Sequence, residues 1–209
     1  MTRRSAFSLS AVVLSGTAAA ALYAASGPRP REQVVNHAQA ANAGGGRIAI
    51  NPASVREALA KGLIDRPVGS VLNVPGRMTY GDYRWDDKGI SAGPVWVRVD
   101  LRSQILSVFR AGHEIGTAVI LYGADGLPTP TGKFPNLAKM KDHRSATYDG
   151  APMPYTLRLT PDGVSIHGSN VRWGYATHGC IGVPAAFAAK LFGAVSVGDE
   201  VLIVGGKAA

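Results

Sequence analysis

The sequence predicts a mainly β, turn-rich domain with one or two short helices, and three observations carry that expectation. Glycine and proline are abundant, 26 and 13 of 209 residues, while aromatics make up 7%; this composition suits short strands and turns better than a helix bundle. Val95, Val97, Val99 and Leu101 occupy alternate positions, the period of a strand that buries one face. Helical spacing is confined to two short stretches, residues 52–63 and 184–192.

Taken in order, residues 1–26 open with Arg3 and Arg4 and continue into an apolar run, Ala6 to Ala25. That pattern reads as an export signal, with an uncleaved N-terminal membrane anchor as the alternative, because ~20 apolar residues span a bilayer. Residues 27–47 turn to Pro, Arg, Gln, Asn and Gly and read as a flexible linker. Residues 48–93 form an extension expected to pack on the main domain. Asn51 caps a helix started by Pro52, with Val55, Leu59 and Leu63 on one face and Gly62 ending it. From Arg66 to Gly93 the turn signals predict irregular chain whose Tyr80, Tyr83 and Trp85 pack inward.

The main domain is expected over residues 94–204, with a short tail at 205–209. After the Val95–Leu101 strand, Ile105–Arg110 and Ile115–Leu121 form a hairpin around Ala111, Gly112, His113 and Glu114, placing His113 in a solvated turn. Gly126 to Phe134, with Pro128 and Pro130, reads as a rigid loop. Lys139 to Pro154, carrying His143, Tyr148 and Met153, is polar and irregular, and is either a lid or an idle excursion. A hairpin around Pro161–Gly163 then delivers His167 at a strand end, with Ser165 and His167 on the face opposite Ile166. Pro184 starts a helix that Gly193 stops, and Val201–Val204 is the last strand.

Composition limits the chemistry. The formal charge is +8 and remains +6 without Arg3 and Arg4, which suits an anionic envelope or membrane surface. Nucleic acid is not expected as a partner, because the basic residues are scattered without interleaved aromatics. The only cysteine, Cys180, follows His178 by two residues and His167 by thirteen, and a glycine follows each histidine. A lone cysteine is often a small buried hydrophobe. In an exported chain it forms no internal disulfide, and its glycine-flanked, polar setting favours a functional thiol. Imidazole near a thiol supplies a base, and the turn around Gly179 aims backbone N–H groups at one point, as acyl transfer through a thioester requires. Spacing alone leaves both His178 and His167 open as the base. With one cysteine and no Cys-x-x-Cys or His-Glu-x-x-His spacing, no metal is expected, and no cofactor.

His167-Gly168-Ser169 followed by Thr177-His178-Gly179-Cys180 resembles the signature of the L,D-transpeptidase, or YkuD-like, catalytic domain of bacterial cell-wall enzymes. Further matching stretches are Val99-Asp100-Leu101 with Gln104 to Val108, Thr129 to Phe134, Met153-Pro154-Tyr155, and Val197-Gly198-Asp199, so the resemblance covers residues 94–204. It implies a β-sandwich-like catalytic domain with one or two short helices. It also implies attack by Cys180 on the bond between meso-diaminopimelate and D-alanine of a peptidoglycan tetrapeptide stem. A thioester follows, and transfer to the amine of an acceptor stem gives a 3→3 cross-link, or another amine is attached, as with the lipoprotein lysine or free D-amino acid that related enzymes use. His167 would be the base, the Gly168 carbonyl would orient it, and the His178 and Gly179 amides with Cys180 would face the oxyanion. Tyr148, Met153, Tyr155, Arg172 and Thr177 are candidate substrate contacts. Carbapenem-type inhibitors are expected to acylate Cys180, and the periplasm or cell envelope is the expected location, with anchorage to the inner membrane as a variant. The chain departs from the family pattern at Gly182, where members commonly carry a donor-holding arginine, and in a shorter His167–His178 gap. Rival readings are a carboxypeptidase or editing hydrolase on the same residues and a non-catalytic wall-binding module.

Overall fold

A computed structural model describes residues 46–205. The expected leader at 1–26, nearly all of the linker and the end of the tail lie outside the described residues. Among the described residues, no helix is long and apolar enough to cross a membrane.

The architecture is mainly β, with two sheets and two helices. Strands β1 (Arg47–Ala49), β2 (Ser70–Leu72), β3 (Tyr83–Trp85), β4 (Val95–Asp100), β5 (Ile105–Arg110), β6 (His113–Val119), β7 (Gly132–Pro135) and β12 (Glu200–Val204) form the larger sheet. Its order is β1-β2-β6-β5-β4-β12-β7, with β3 also paired to β6. The smaller sheet, ordered β11-β10-β9-β8, contains β8 (Ala138–Arg144), β9 (Pro152–Arg158), β10 (Ser165–Ser169) and β11 (Ile181–Pro184). Helix α1 (Pro52–Ala60) lies between β1 and β2 in the chain, and α2 (Ala185–Ala194) between β11 and β12.

The alternation in β4 has its expected result: Val97 and Val99 are fully buried and Leu101 nearly so. They join Leu106, Val108, Ile115, Leu157, Ile166, Ile181, Leu191, Val201 and Ile203 in one core shared by both sheets. Burial of each such side chain contributes about 1.5–3 kcal/mol before chain entropy is counted. Helix α2 contributes Phe187, Ala188 and Leu191 to this core. Phe187 is fully buried and meets Tyr83 and Trp85 edge-on, at centroid distances of 5.8 and 5.6 Å. The opposite face of β4 is covered as well. Trp96 stacks on Phe109 at 4.1 Å, and the Arg66 guanidinium lies 4.6 Å from the Trp96 ring centre.

Several elements differ from expectation. The stretch from Arg66 to Gly93 holds β2 and β3, which are too short for a period to show and which form because β6 offers edges to pair with. Ala111 and Gly112, at φ 50° and 80°, make a two-residue turn, so His113 begins β6 rather than sitting in solvent. It is half-buried, with Nδ1 2.9 Å from Ser70 Oγ. The supposedly irregular segment from Lys139 to Pro154 is mostly the β8–β9 hairpin; its polar residues reflect an edge strand with little burial, which hides the alternation. Asn51 caps α1 through Ala53 N–H at 2.8 Å, but that helix ends at Ala60 and Leu63 is 67% exposed. Gly193 does not stop α2, which runs to Ala194.

Candidate active site

The site is assembled where β10 and β11 run parallel, with His167 opposite Gly182 and Gly168 opposite Val183. This register sets Cys180, the residue before β11, beside the first residues of β10. The thiol is directed at the Gly163 carbonyl, 3.9 Å away, rather than at the imidazole. Burial pushes the Cys180 thiol above its ordinary pKa, and a hydrogen bond from the Ser165 backbone N–H partly offsets this.

Strand alternation turns Ile166 into the core and His167 away from it, as the spacing predicts. Nδ1 of His167 lies 3.0 Å from the Gly168 carbonyl. A carbonyl only accepts, so Nδ1 carries the proton and Nε2 keeps its lone pair. Burial lowers the pKa of His167; the Gly168 carbonyl opposes that shift, and the nearby His143 on β8 adds to it. Both shifts favour the uncharged forms, imidazole on His167 and thiol on Cys180. Gly168 is enclosed: a Cβ there would stand 3.0 Å from Pro154 Cγ and 3.2 Å from the Pro154 carbonyl.

The turn before β11 is held from below by the loop after β6. Thr177 N–H donates to the Tyr122 carbonyl at 3.0 Å, the Thr177 carbonyl accepts from Ala124 N–H at 3.0 Å, and Thr177 Oγ1 donates to the Cys180 carbonyl. Gly179 has φ 104°, a conformation that excludes a side chain on backbone grounds. Among the described residues, the backbone N–H groups of His178, Gly179 and Cys180 donate to no backbone carbonyl.

Other sequence candidates are distributed around this centre. The His178 ring is exposed and stacks on Tyr148 at the β8–β9 hairpin tip, with centroids 4.1 Å apart and planes at 21°. The imidazole of His178 is thus engaged with the hairpin rather than the thiol. Met153 lies on β9 opposite His143. Tyr155, at φ 57°, packs edge-on against Phe192 at 5.8 Å, so its ring belongs to the core margin. Arg172 is exposed in the turn closed by Tyr175 N–H and the Arg172 carbonyl at 3.3 Å. Sequence reasoning missed His143, whose approach to His167 depends on two strand pairings. It also missed the approach of the Leu127 and Pro128 carbonyls to Gly179 and the strand character of Ile181–Pro184.

Gly182 is fully enclosed. Its N–H and carbonyl bond the Leu121 backbone at 3.0 and 2.8 Å, and a Cβ would fall 2.9 Å from Ser169 Cβ. Among the described residues, no cluster of His, Cys, Asp and Glu is arranged to hold a metal ion.

Comparison with known proteins agrees with this geometry. Residues 94–203 match the YkuD family, described as the L,D-transpeptidase catalytic domain. L,D-transpeptidase 1 of Mycobacterium tuberculosis is 31% identical over 137 residues, covering 56% of this chain and 54% of that protein. A crystal structure of an L,D-transpeptidase from Stackebrandtia nassauensis superposes with a TM-score of 0.50 at 25% identity, covering 55% of this chain and 57% of that one. The chain thus spans a little over half the length of the relatives it matches. With over half of its length, and the whole His167–Cys180 region, inside the family match, the chain belongs to the YkuD L,D-transpeptidase catalytic-domain family.

Proposed function

We propose that this domain is a cysteine-dependent L,D-transpeptidase acting on peptidoglycan stems. The observation that carries the reading is the locked imidazole: Nδ1 bonded to Gly168, Nε2 unprotonated, on the strand beside the Cys180 turn. As substrate enters, the thiol rotates from the Gly163 carbonyl toward Nε2. His167 takes its proton while sulfur attacks the carbonyl carbon of diaminopimelate. The oxyanion that forms is held by the N–H groups of Gly179 and Cys180, with that of His178 beside them. Protonated His167 returns its proton to the departing D-alanine amine, leaving a thioester on Cys180. An acceptor amine then gives up a proton to His167, attacks the thioester and releases the thiol, forming the 3→3 cross-link. General-base assistance of this kind contributes ~10²–10⁴-fold.

Incubation with a purified disaccharide tetrapeptide tests the reading by mass: dimer with loss of alanine supports it. Loss of alanine without dimer makes the domain a carboxypeptidase, and sacculus binding without any mass change makes it a wall-binding module. Cys180→Ala should abolish both turnover and the covalent adduct of a carbapenem, whose strained carbonyl acylates a nucleophilic thiol. Turnover that survives in this variant would overturn the mechanism. Since the substrate lies outside the cytoplasm, the reading places the domain in the periplasm or cell envelope, behind the leader at residues 1–26; fractionation of an epitope-tagged full-length chain checks this.

A further inference from the structure

Between the turn that carries Tyr175 and Ala176 and the loop after β6 lies an open cleft of about 1090 Å³. Tyr175 and Ala176 form one wall and the loop after β6 the other, while Arg102, Gln104 and Thr131 supply hydrogen-bonding groups. Three features mark it as more than a surface irregularity. Trp173 is 81% and Tyr175 62% exposed, two large rings presented on one short turn without core contacts to account for them. Trp173 stands beside the lined cleft, two residues before Tyr175; it meets Tyr80 edge-on at 5.7 Å, and Tyr80 OH donates to Gln104 Oε1 at 2.9 Å, so this neighbouring ring is tied to the cleft's amide. With its oxygen so occupied, Gln104 offers a ligand its NH₂ group. Gln104 also sits at φ 58°, an uncommon backbone state for this residue type that recurs at functional sites.

We propose that this cleft, with Trp173 and Tyr175, binds the glycan strand that carries the stem peptide, taking N-acetylated hexosamine rings against the aromatic faces. The inference rests on the peptidoglycan reading above and extends it from the peptide to the sugar. The chemistry of the lining favours a neutral, hydroxyl-rich ligand: Arg102 and Asp125 bring opposite charges, and amide and hydroxyl groups lie between apolar ring faces. Charge complementarity thus disfavours a polyanion. Reach is consistent as well. The acyl donor is the third residue of the stem, so the sugar lies roughly 10–11 Å from Cys180 in an extended peptide. Tyr175 precedes Cys180 by five residues, which span at most about 17 Å.

The test uses the full-length chain and the tetramer of N-acetylglucosamine, which has no peptide, followed by calorimetry. Saturable binding is expected, weakened at least fivefold by Trp173→Ala and by Tyr175→Ala, both exposed positions that leave the core untouched. Gln104→Asn, which tolerates the left-handed backbone but shortens the amide, should weaken it by a similar factor. Carbapenem acylation of Cys180 should stay at the wild-type rate in all three variants, which verifies that the fold is intact. Absence of saturation, wild-type affinity in the variants, or displacement of the tetramer by a sugar-free tetrapeptide would each overturn the proposal. The two readings separate: cross-linking without sugar binding removes the glycan site alone, whereas sugar binding lost in Trp173→Ala without any cross-linking removes the transpeptidase reading alone.

Discussion

Replacing Gly182 by alanine adds a single methyl group at the point where the site has least room. Gly182 has no positive φ, so its backbone accepts a side chain without strain and space alone decides the outcome. The new Cβ would lie 2.9 Å from Ser169 Cβ and 3.2 Å from Ser169 Oγ, against an ordinary contact of at least 3.4 Å. Gly182 itself cannot retreat, since both of its backbone groups bond Leu121 and β11 is paired to β10 along its length. Ser169 must therefore move by about half an ångström. Overpacking of this kind costs about 1–3 kcal/mol. For a domain of this size each kcal/mol lowers Tm by about 2–4 °C, so the drop should be roughly 2–12 °C. Thermal and urea unfolding of Gly182→Ala, Ser169→Gly and the double variant form the assay. The double variant should recover more than half of the Gly182→Ala loss, a coupling well beyond the ~0.3–0.5 kcal/mol within which independent sites add. A Gly182→Ala protein as stable as wild type, or additive losses in the cycle, would refute the steric argument. The same reasoning predicts that Gly182→Arg, the residue common in the family, lowers stability further when introduced without a compensating change at Ser169.

Four other outcomes follow from the site. The acid limb of kcat/KM should be centred below the ordinary imidazole range, because burial depresses the pKa of His167; a limb at or above that range would dissociate His167 from base catalysis. The same shift bears on folding: neutral His167 contributes stability that is present above the unfolded pKa and lost as pH falls through the folded one, a dependence absent from the unfolding curve of His167→Ala. Thr177→Val, which removes the bond from Oγ1 to the Cys180 carbonyl, should cost about 0.5–1.5 kcal/mol of stability and lower kcat more than it raises KM; an unchanged kcat would show that the turn keeps its aim without it. Tyr148→Ala, losing a stack worth about 0.5–1.5 kcal/mol, should speed amide exchange across residues 145–151 and raise KM; unchanged exchange would mean that the hairpin tip is held by other contacts.

The structure explains why some elements were legible in the chain and others were not. The β4 strand was visible because its inner face alternates without a break, and Ile166 and His167 could be assigned to opposite faces because strand geometry forces that alternation. Asn51-Pro52 marked a helix start through local capping chemistry. By contrast, β2 and β3 have three residues each, and nothing within them marks a strand until β6 is present to pair with. The β8–β9 hairpin carries charges on both faces where it is least buried, so its period was masked.

The same division holds at the candidate site. Sequence alone determined the reactive inventory and the family: one thiol, two histidines each followed by glycine, and a motif that the family match independently covers. These are properties of residue type and local spacing, which a linear chain displays. Spacing alone leaves both histidines open and the family resemblance points to His167; what only the tertiary structure supplies is the parallel β10–β11 register that sets His167 beside the Cys180 turn, while His178, the nearer in sequence, stacks on Tyr148 some thirty residues away along the chain. The direction of the His167 and Cys180 pKa shifts, the approach of His143, and the closed space at Gly182 were likewise decided by tertiary structure. Burial and through-space charge depend on which strands lie side by side, and pairing between distant segments is the one quantity that spacing along the chain does not encode.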